Sequence, residues 1–146
     1  MAGNAIYRGP NGSCVQPRTV NKPVAGAYLP GTFVEETATQ LSQITTATDK
    51  RPMILGTLDF KDQDTATAYT SGDTGVAFQL EQGQVYSCAM AAATYTYNQP
   101  LTIGAAGRLT AATTGNVIVA FFKDTPGAFS AGALADVEIA NFSAKS

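Results

Sequence analysis

A chain of 146 residues with 9 basic and 11 acidic side chains has a charged fraction of 14%, against about 25% in an ordinary soluble domain. That length fits one domain with a real hydrophobic core, and so few charges leave a surface of Ala, Thr, Ser, Gly and Gln suited to burial against partners. No histidine is present, which excludes Ser-His-Asp and Cys-His catalysis within one chain and removes the commonest zinc ligand.

The charge is unevenly spread. Residues 1–23 carry Arg8, Arg18 and Lys22 and no acid, whereas residues 24–146 carry the remaining 6 basic and all 11 acidic side chains. A basic leader on an acidic body points to an acidic protein surface as its partner. Nucleic acid is not expected, because the cations form no run and only Tyr7 interleaves them. No apolar stretch reaches the 18 or so residues of a transmembrane helix, so no membrane contact is expected. The start, Met-Ala-Gly-Asn-Ala-Ile-Tyr-Arg-Gly-Pro, lacks the basic and apolar regions of a signal peptide, and the protein is expected to stay in the cell that makes it.

In chain order, residues 1–23 read as an extended N-terminal arm. They hold Pro10, Pro17 and Pro23 and only scattered apolar residues, too few to order the segment alone. Residues 24–146 read as one body. Val24 to Glu36 places β-formers around a Pro30-Gly31 turn, and Glu35 to Gln43 is the best helix candidate. Leu41 to Thr48 is Thr-rich with weak alternation. Pro52 to Phe60 is nearly continuous apolar sequence, the mark of a strand buried on both faces. Gly72 to Gly75 reads as a turn, after which Val76, Phe78 and Leu80 alternate onto one face.

Glu81-Gln-Gly83-Gln then predicts a hairpin leading into Val85 to Met90. A second hairpin is expected where Leu101–Ile103 and Arg108–Ala112 flank Gly104-Ala-Ala-Gly107. Val117 to Lys123 is the strongest central-strand candidate, with Ile118 and Phe121 facing the core. Ala131 to Leu134 allows one helical turn. Asp136 to Phe142 is the last strand, with Val137 and Ile139 on one face. Turn signals every 8–12 residues between short strands predict an all-β sandwich or barrel.

No catalytic residue, metal site or cofactor is expected. Asp59, Asp62 and Asp64 cluster but lack the acid spacing and terminal Glu of a calcium loop. Gly72-x-x-Gly75 and Gly104-x-x-Gly107 lack the lysine of a phosphate-cradling loop. Cys14 and Cys88 read as free thiols in a reducing compartment, with a disulfide between arm and body as the alternative. Tyr95 and Tyr97 alternate in Thr94-Tyr-Thr-Tyr-Asn98, so they are expected on one strand face as a subunit-contact or stacking surface.

From Tyr69 to Ala112 the chain runs through Ser71-Gly72-Asp73, a strand, a tight turn, a strand, Ala91-Ala-Ala-Thr-Tyr95, Gln99-Pro-Leu101 and Gly104-Ala-Ala-Gly107-Arg-Leu-Thr110. This stretch resembles the small decoration, or cement, proteins of tailed-bacteriophage capsids, in which a Gly-x-x-Gly-x-Leu element forms a β-turn-β unit. The resemblance implies a compact β-barrel or β-tulip body that joins into homo-oligomers, trimers first and dimers second. It also implies a place on the outer surface of the virion, assembled in the host cytoplasm, with arms reaching across neighbouring major capsid proteins. On physical grounds Arg8, Arg18 and Lys22 would pair with capsid acids, and Ile6, Tyr7 and Val20 would be the apolar anchors. Deleting residues 1–23 would then leave the body folded.

Two other classes compete. One is a different virion component, such as a tail-tube or head-completion β protein. The other is a carbohydrate-binding or adhesion module using Tyr69, Tyr95 and Tyr97 to stack on sugar rings.

Overall fold

The computed structural model describes residues 6–9, 17–47, 51–57 and 63–145. Its strands in chain order are β1 (Tyr7–Gly9), β2 (Thr19–Pro23), β3 (Phe33–Glu36), β4 (Leu41–Gln43), β5 (Pro52–Leu55), β6 (Thr74–Gln79) and β7 (Val85–Ala89). They continue as β8 (Ala93–Tyr95), β9 (Pro100–Ile103), β10 (Leu109–Ala111), β11 (Ala120–Phe122), β12 (Gly127–Phe129) and β13 (Leu134–Ile139). One sheet runs β1-β7-β13-β11-β9-β10 and a second β2-β6-β5-β3-β4, while β8 and β12 make a separate two-stranded ribbon. The molecule is all-β, a sandwich and not a closed barrel. Each sheet nonetheless curls: a parallel bridge at Val24–Leu41 joins the two edges of the second, and one at Met90–Leu109 joins the end of β7 to the edge strand β10 of the first.

Two apolar clusters result. The larger lies between the sheets and takes Tyr86, Cys88, Leu101, Val119, Phe122 and Val137 from the first and Phe33 and Ile54 from the second. The smaller fills the curl of the second sheet with Val24, Val34, Leu41, Met53, Leu55, Tyr69 and Ala77. Alternation explains the division, since Met53 and Leu55 face one cluster and Ile54 the other. All four residues of β5 are buried, as the apolar run from Pro52 to Phe60 predicts, but the strand ends at Leu55, and residues 58–60 lie outside the described residues.

Several expectations are corrected. Glu35 to Gln43 is not a helix but the β3–β4 hairpin. Its threonines compete with helical hydrogen bonds, and Thr37 closes the turn by accepting from the Gln40 N–H at 3.0 Å. The turn at 81–84 joins no hairpin, because β6 pairs with β2 and β5 while β7 pairs with β1 and β13. It crosses between the sheets, and the Gln84 Oε1 accepts from the Glu81 N–H and the Tyr86 hydroxyl, each at 2.9 Å. The short segment Ala131 to Leu134 is turn and strand, not helix.

Val76, Phe78 and Leu80 are the half-buried alternate positions at β6, as expected, and Gly75 and Ala77 between them are fully buried. Gly75 is a packing glycine, since a Cβ there would sit 2.4 Å from the Val24 Cγ2. Parity differs around β11, where Val119, Ala120 and Phe122 are buried while Ile118 and Phe121 are only partly covered. The strand is central but short, and before it the Ile118 N–H donates at 2.8 Å to the Ser143 carbonyl in the segment that follows β13.

The hairpin predicted at Gly104 to Gly107 is present, β9 pairing with β10 across a short 3-10 turn, Ala105–Gly107. Gly107 has φ +66, and a Cβ on it would lie 2.8 Å from the Phe33 carbonyl oxygen. Only glycine lets this turn pack under β3. The last strand starts two residues earlier than expected, with Ala135, Val137 and Ile139 buried on one face.

Residues 1–23 are not an irregular arm where described. β1 pairs with β7 at one sheet edge and β2 pairs with β6 at the edge of the other. The segment borders β6 and β7 on both sides of their crossing and belongs to the body's sheets.

Candidate functional site

The anticipated contact residues divide between the body and its surface. Ile6 is 2% exposed and sits in the larger core, where its carbonyl accepts from the Ser87 N–H at 2.7 Å. It anchors the chain to itself and is not presented to a partner. Tyr7 meets Tyr86 edge-on, ring centroids 5.3 Å apart. Val20 packs against the smaller cluster. Arg8 reaches Asp136 at 3.4 Å, and Lys22 reaches Glu36 at 2.7 Å while donating to the Thr37 carbonyl at 2.8 Å. The basic leader does meet acids, but they are the chain's own. Arg18 keeps an exposed side chain.

Tyr95 and Tyr97 do not share a face. β8 ends at Tyr95, and Thr96 to Gln99 forms a turn in which Asn98 takes φ 63. Tyr95 is buried and stacks on Phe122 at 5.5 Å, its hydroxyl donating to the Ala91 carbonyl at 2.7 Å. Tyr97 is 58% exposed, with the Lys123 ammonium 5.0 Å from its ring centroid. Tyr69 is buried in the smaller cluster and donates to the Gly56 carbonyl at 2.6 Å. The three tyrosines of the sugar-stacking reading are not brought together.

What the fold does assemble is a capped end. Register places Ala89 opposite Leu134, Phe122 opposite Val137, and Phe121 opposite Pro100, so four strand ends lie together. β8 and β12 leave from and return to those ends, and the ribbon therefore covers them. Phe129 holds it down, edge-on to Tyr95 at 5.9 Å and to Phe122 at 5.5 Å. The outer surface consists of exposed Ala92, Ala93, Thr94, Tyr97, Pro126 and Ala128. From Ala91 to Ala133 the chain carries only Arg108, Lys123 and Asp124 as charges. Lys123 also hydrogen-bonds Asn98, and Asp124 accepts from the Thr125 N–H at 2.7 Å and the Asp136 N–H at 3.0 Å. The signal for this surface in the sequence is the long interval without charge.

A groove of about 450 Å³ is lined by Glu35, Glu36, Thr37, Arg51 and Met53. Two of its charged side chains are engaged within the chain, Glu36 with Lys22 and Arg51 with the Gln79 side chain at 3.2 Å. Among the described residues no three His, Cys, Asp or Glu side chains gather, and every buried side-chain N or O atom has a partner. Asp59 and Asp62 lie outside the described residues. Asp64 turns its carboxylate inward on its own loop, accepting from the Ala66 N–H at 3.0 Å and the Thr67 hydroxyl at 2.7 Å, and the Thr67 bond lowers its pKa. Cys14 also lies outside the described residues. Cys88 is a free thiol whose pKa burial raises far above the usual range. Among the described residues no helix is long and apolar enough to cross a membrane. No protein-family model matches the chain, and no curated protein matches it.

Proposed function

We propose that this chain is a non-enzymatic structural protein of a tailed-phage virion. It binds the outer surface of the assembled capsid and stabilises the shell by bridging neighbouring major capsid proteins. The observation that carries this reading is the charge-poor exterior of a rigid sandwich, uncharged over nearly all of residues 91–133. Such a surface loses little on desolvation when pressed against protein, because few ions must leave water. The sequence resemblance over residues 69–112 supports the same reading, since that stretch supplies β6 to β10, the strands that join both sheets to the ribbon.

The mechanism is mass action. A protein that binds only across assembled capsomers stabilises each site by about 2.7 kcal/mol at a hundredfold excess over its Kd. Repetition over a symmetric shell multiplies that modest value. Among the cations of residues 1–23, Arg8 and Lys22 pair with acids of the chain itself, so exposed Arg18 is the one assigned to a capsid carboxylate in this reading.

The test adds purified chain to shells that lack it and measures occupancy and resistance to heat. Shells are expected to bind the chain and survive higher temperatures, with Arg18→Glu lowering occupancy while its own melting temperature stays unchanged. Binding to tail tubes or connectors and never to shells would overturn the proposal in favour of another virion role.

A further inference from the structure

We propose that Arg18 and Arg51 together form a carboxylate-binding site at the mouth of the curled second sheet, and that an acidic segment of a partner protein occupies it. The inference deepens the capsid reading, on which the identity of that partner rests; the site itself is tested without shells.

The two arginines are distant in sequence and converge through β6. The Gln79 N–H donates to the Arg18 carbonyl at 2.8 Å, which continues the β2–β6 ladder beyond Thr19 and sets Arg18 beside Gln79. On the other side of β6, Met53 stands opposite Gln79, and the Arg51 guanidinium donates to the Gln79 Oε1 at 3.2 Å. Alternation puts all three side chains on one face of the sheet. Arg18 is in phase with Val20, Gln79 with Ala77, and Arg51 with Met53. That face curls around the smaller cluster, and Arg51 lines the groove of about 450 Å³ at its open end. Both arginines are exposed.

Charge selects the occupant. Cations held side by side on neighbouring strands repel unless an anion lies between them. Among the described residues the ion pairs are Arg8–Asp136 and Lys22–Glu36, so neither Arg18 nor Arg51 takes part in one. The acids of the adjoining elements do not fill the gap. Glu36 is held by Lys22, Glu35 alternates to the side of Phe33, and Glu81 is exposed in the turn that leads to Gln84. A guanidinium carries five donors in a planar fork, and Gln79 takes one from Arg51, which orients the fork and leaves an edge for a carboxylate. A nucleic-acid backbone suits the site less, because the chain is net negative, with 9 basic against 11 acidic side chains. A protein carboxylate needs only these two groups.

The experiment titrates isotope-labelled full-length chain with hexaglutamate and follows the arginine Nε–H signals by NMR. Hexaglutamine and an oligothymidylate are the comparison ligands, and a melting temperature is recorded for every variant. In wild type the Arg18 and Arg51 signals are expected to shift together and saturate with hexaglutamate, and to stay still with hexaglutamine. Arg18→Gln and Arg51→Gln should each weaken affinity by about tenfold, the scale of a hydrogen bond to a charged group. The double variant should lose less than the product of the two losses, because one carboxylate is shared. Gln79→Leu removes no charge, and it should weaken binding in wild type yet add no further loss to Arg51→Gln. Signals that do not move, folded single variants that bind as tightly as wild type, or losses that simply multiply overturn the proposal. So does tighter binding of the oligothymidylate, which would make the site one for nucleic acid. Shell occupancy is read on the same variants, so a wild type that binds hexaglutamate and no shell leaves the site standing and removes the capsid as its partner.

Discussion

Val119 and Ile118 are neighbours in sequence with opposite fates, because the backbone at Ile118 turns to bond Ser143 while Val119 enters the larger core. Val119→Asp is therefore expected to cost about 3–5 kcal/mol, the scale of an uncompensated buried charge. Ile118→Asp, partly solvated, should cost about 1 kcal/mol. Urea midpoints of the two variants would separate them. Asp136 makes a pH prediction. Burial raises its pKa above the usual 3.8, Arg8 pulls it back, and Asp124 pushes it further up. A group that holds its proton to higher pH when folded favours the native state below the unfolded value and loses that contribution as pH rises through the folded one. Melting temperatures measured from below pH 3.8 toward neutrality should thus show wild type falling relative to Asp136→Asn. A difference that stays flat with pH would refute the assignment.

At the scale of elements, the N-terminal segment changes meaning once its pairing is known. β2 lies beside β6 along its length, and Lys22 crosses the curl to Glu36 and Thr37 at the far hairpin, so the strand acts as a clasp. β1 brings Ile6 into the larger core. Ile6→Ala should accordingly destabilise the protein by about 2–5 kcal/mol, measured by denaturant titration. Removing residues 1–23 would bare the edges of β6 and β7 together, and the truncated chain should aggregate or melt early. A truncation that folds with an unchanged melting temperature would restore the loose arm that the composition suggests.

The whole molecule is two apolar clusters sharing one sheet. β3 sends Phe33 to the larger and Val34 to the smaller, and β5 divides Ile54 from Met53 and Leu55 in the same way. Neither cluster can dissolve without exposing a face of the strands that define the other. One cooperative transition is expected, with far-UV and tyrosine near-UV dichroism coinciding in denaturant. Two separated transitions would mean that the sheets fold as independent units. The same arrangement leaves the ribbon strands themselves free of charge at one end of the molecule.

Sequence alone determined the all-β class, a doubly buried strand beginning at Pro52, the Gly104–Gly107 hairpin and the lack of histidine for chemistry. Each depends on short-range features: alternation, turn residues and composition. It mistook the sheet-crossing turn at 81–84 for a hairpin, because Gly83 closes a tight turn equally well in either setting. It also placed Tyr95 with Tyr97 and read residues 1–23 as loose. Those matters depend on which strands become neighbours, and the partners of β1 and β2 lie more than fifty residues away. Edge pairing buries backbone more than side chains, so a proline-flanked, cationic segment can join a sheet without the apolar signature of a strand. Only the tertiary structure decided that Arg8 and Lys22 meet the chain's own acids, and that the uncharged ribbon strands cover one end.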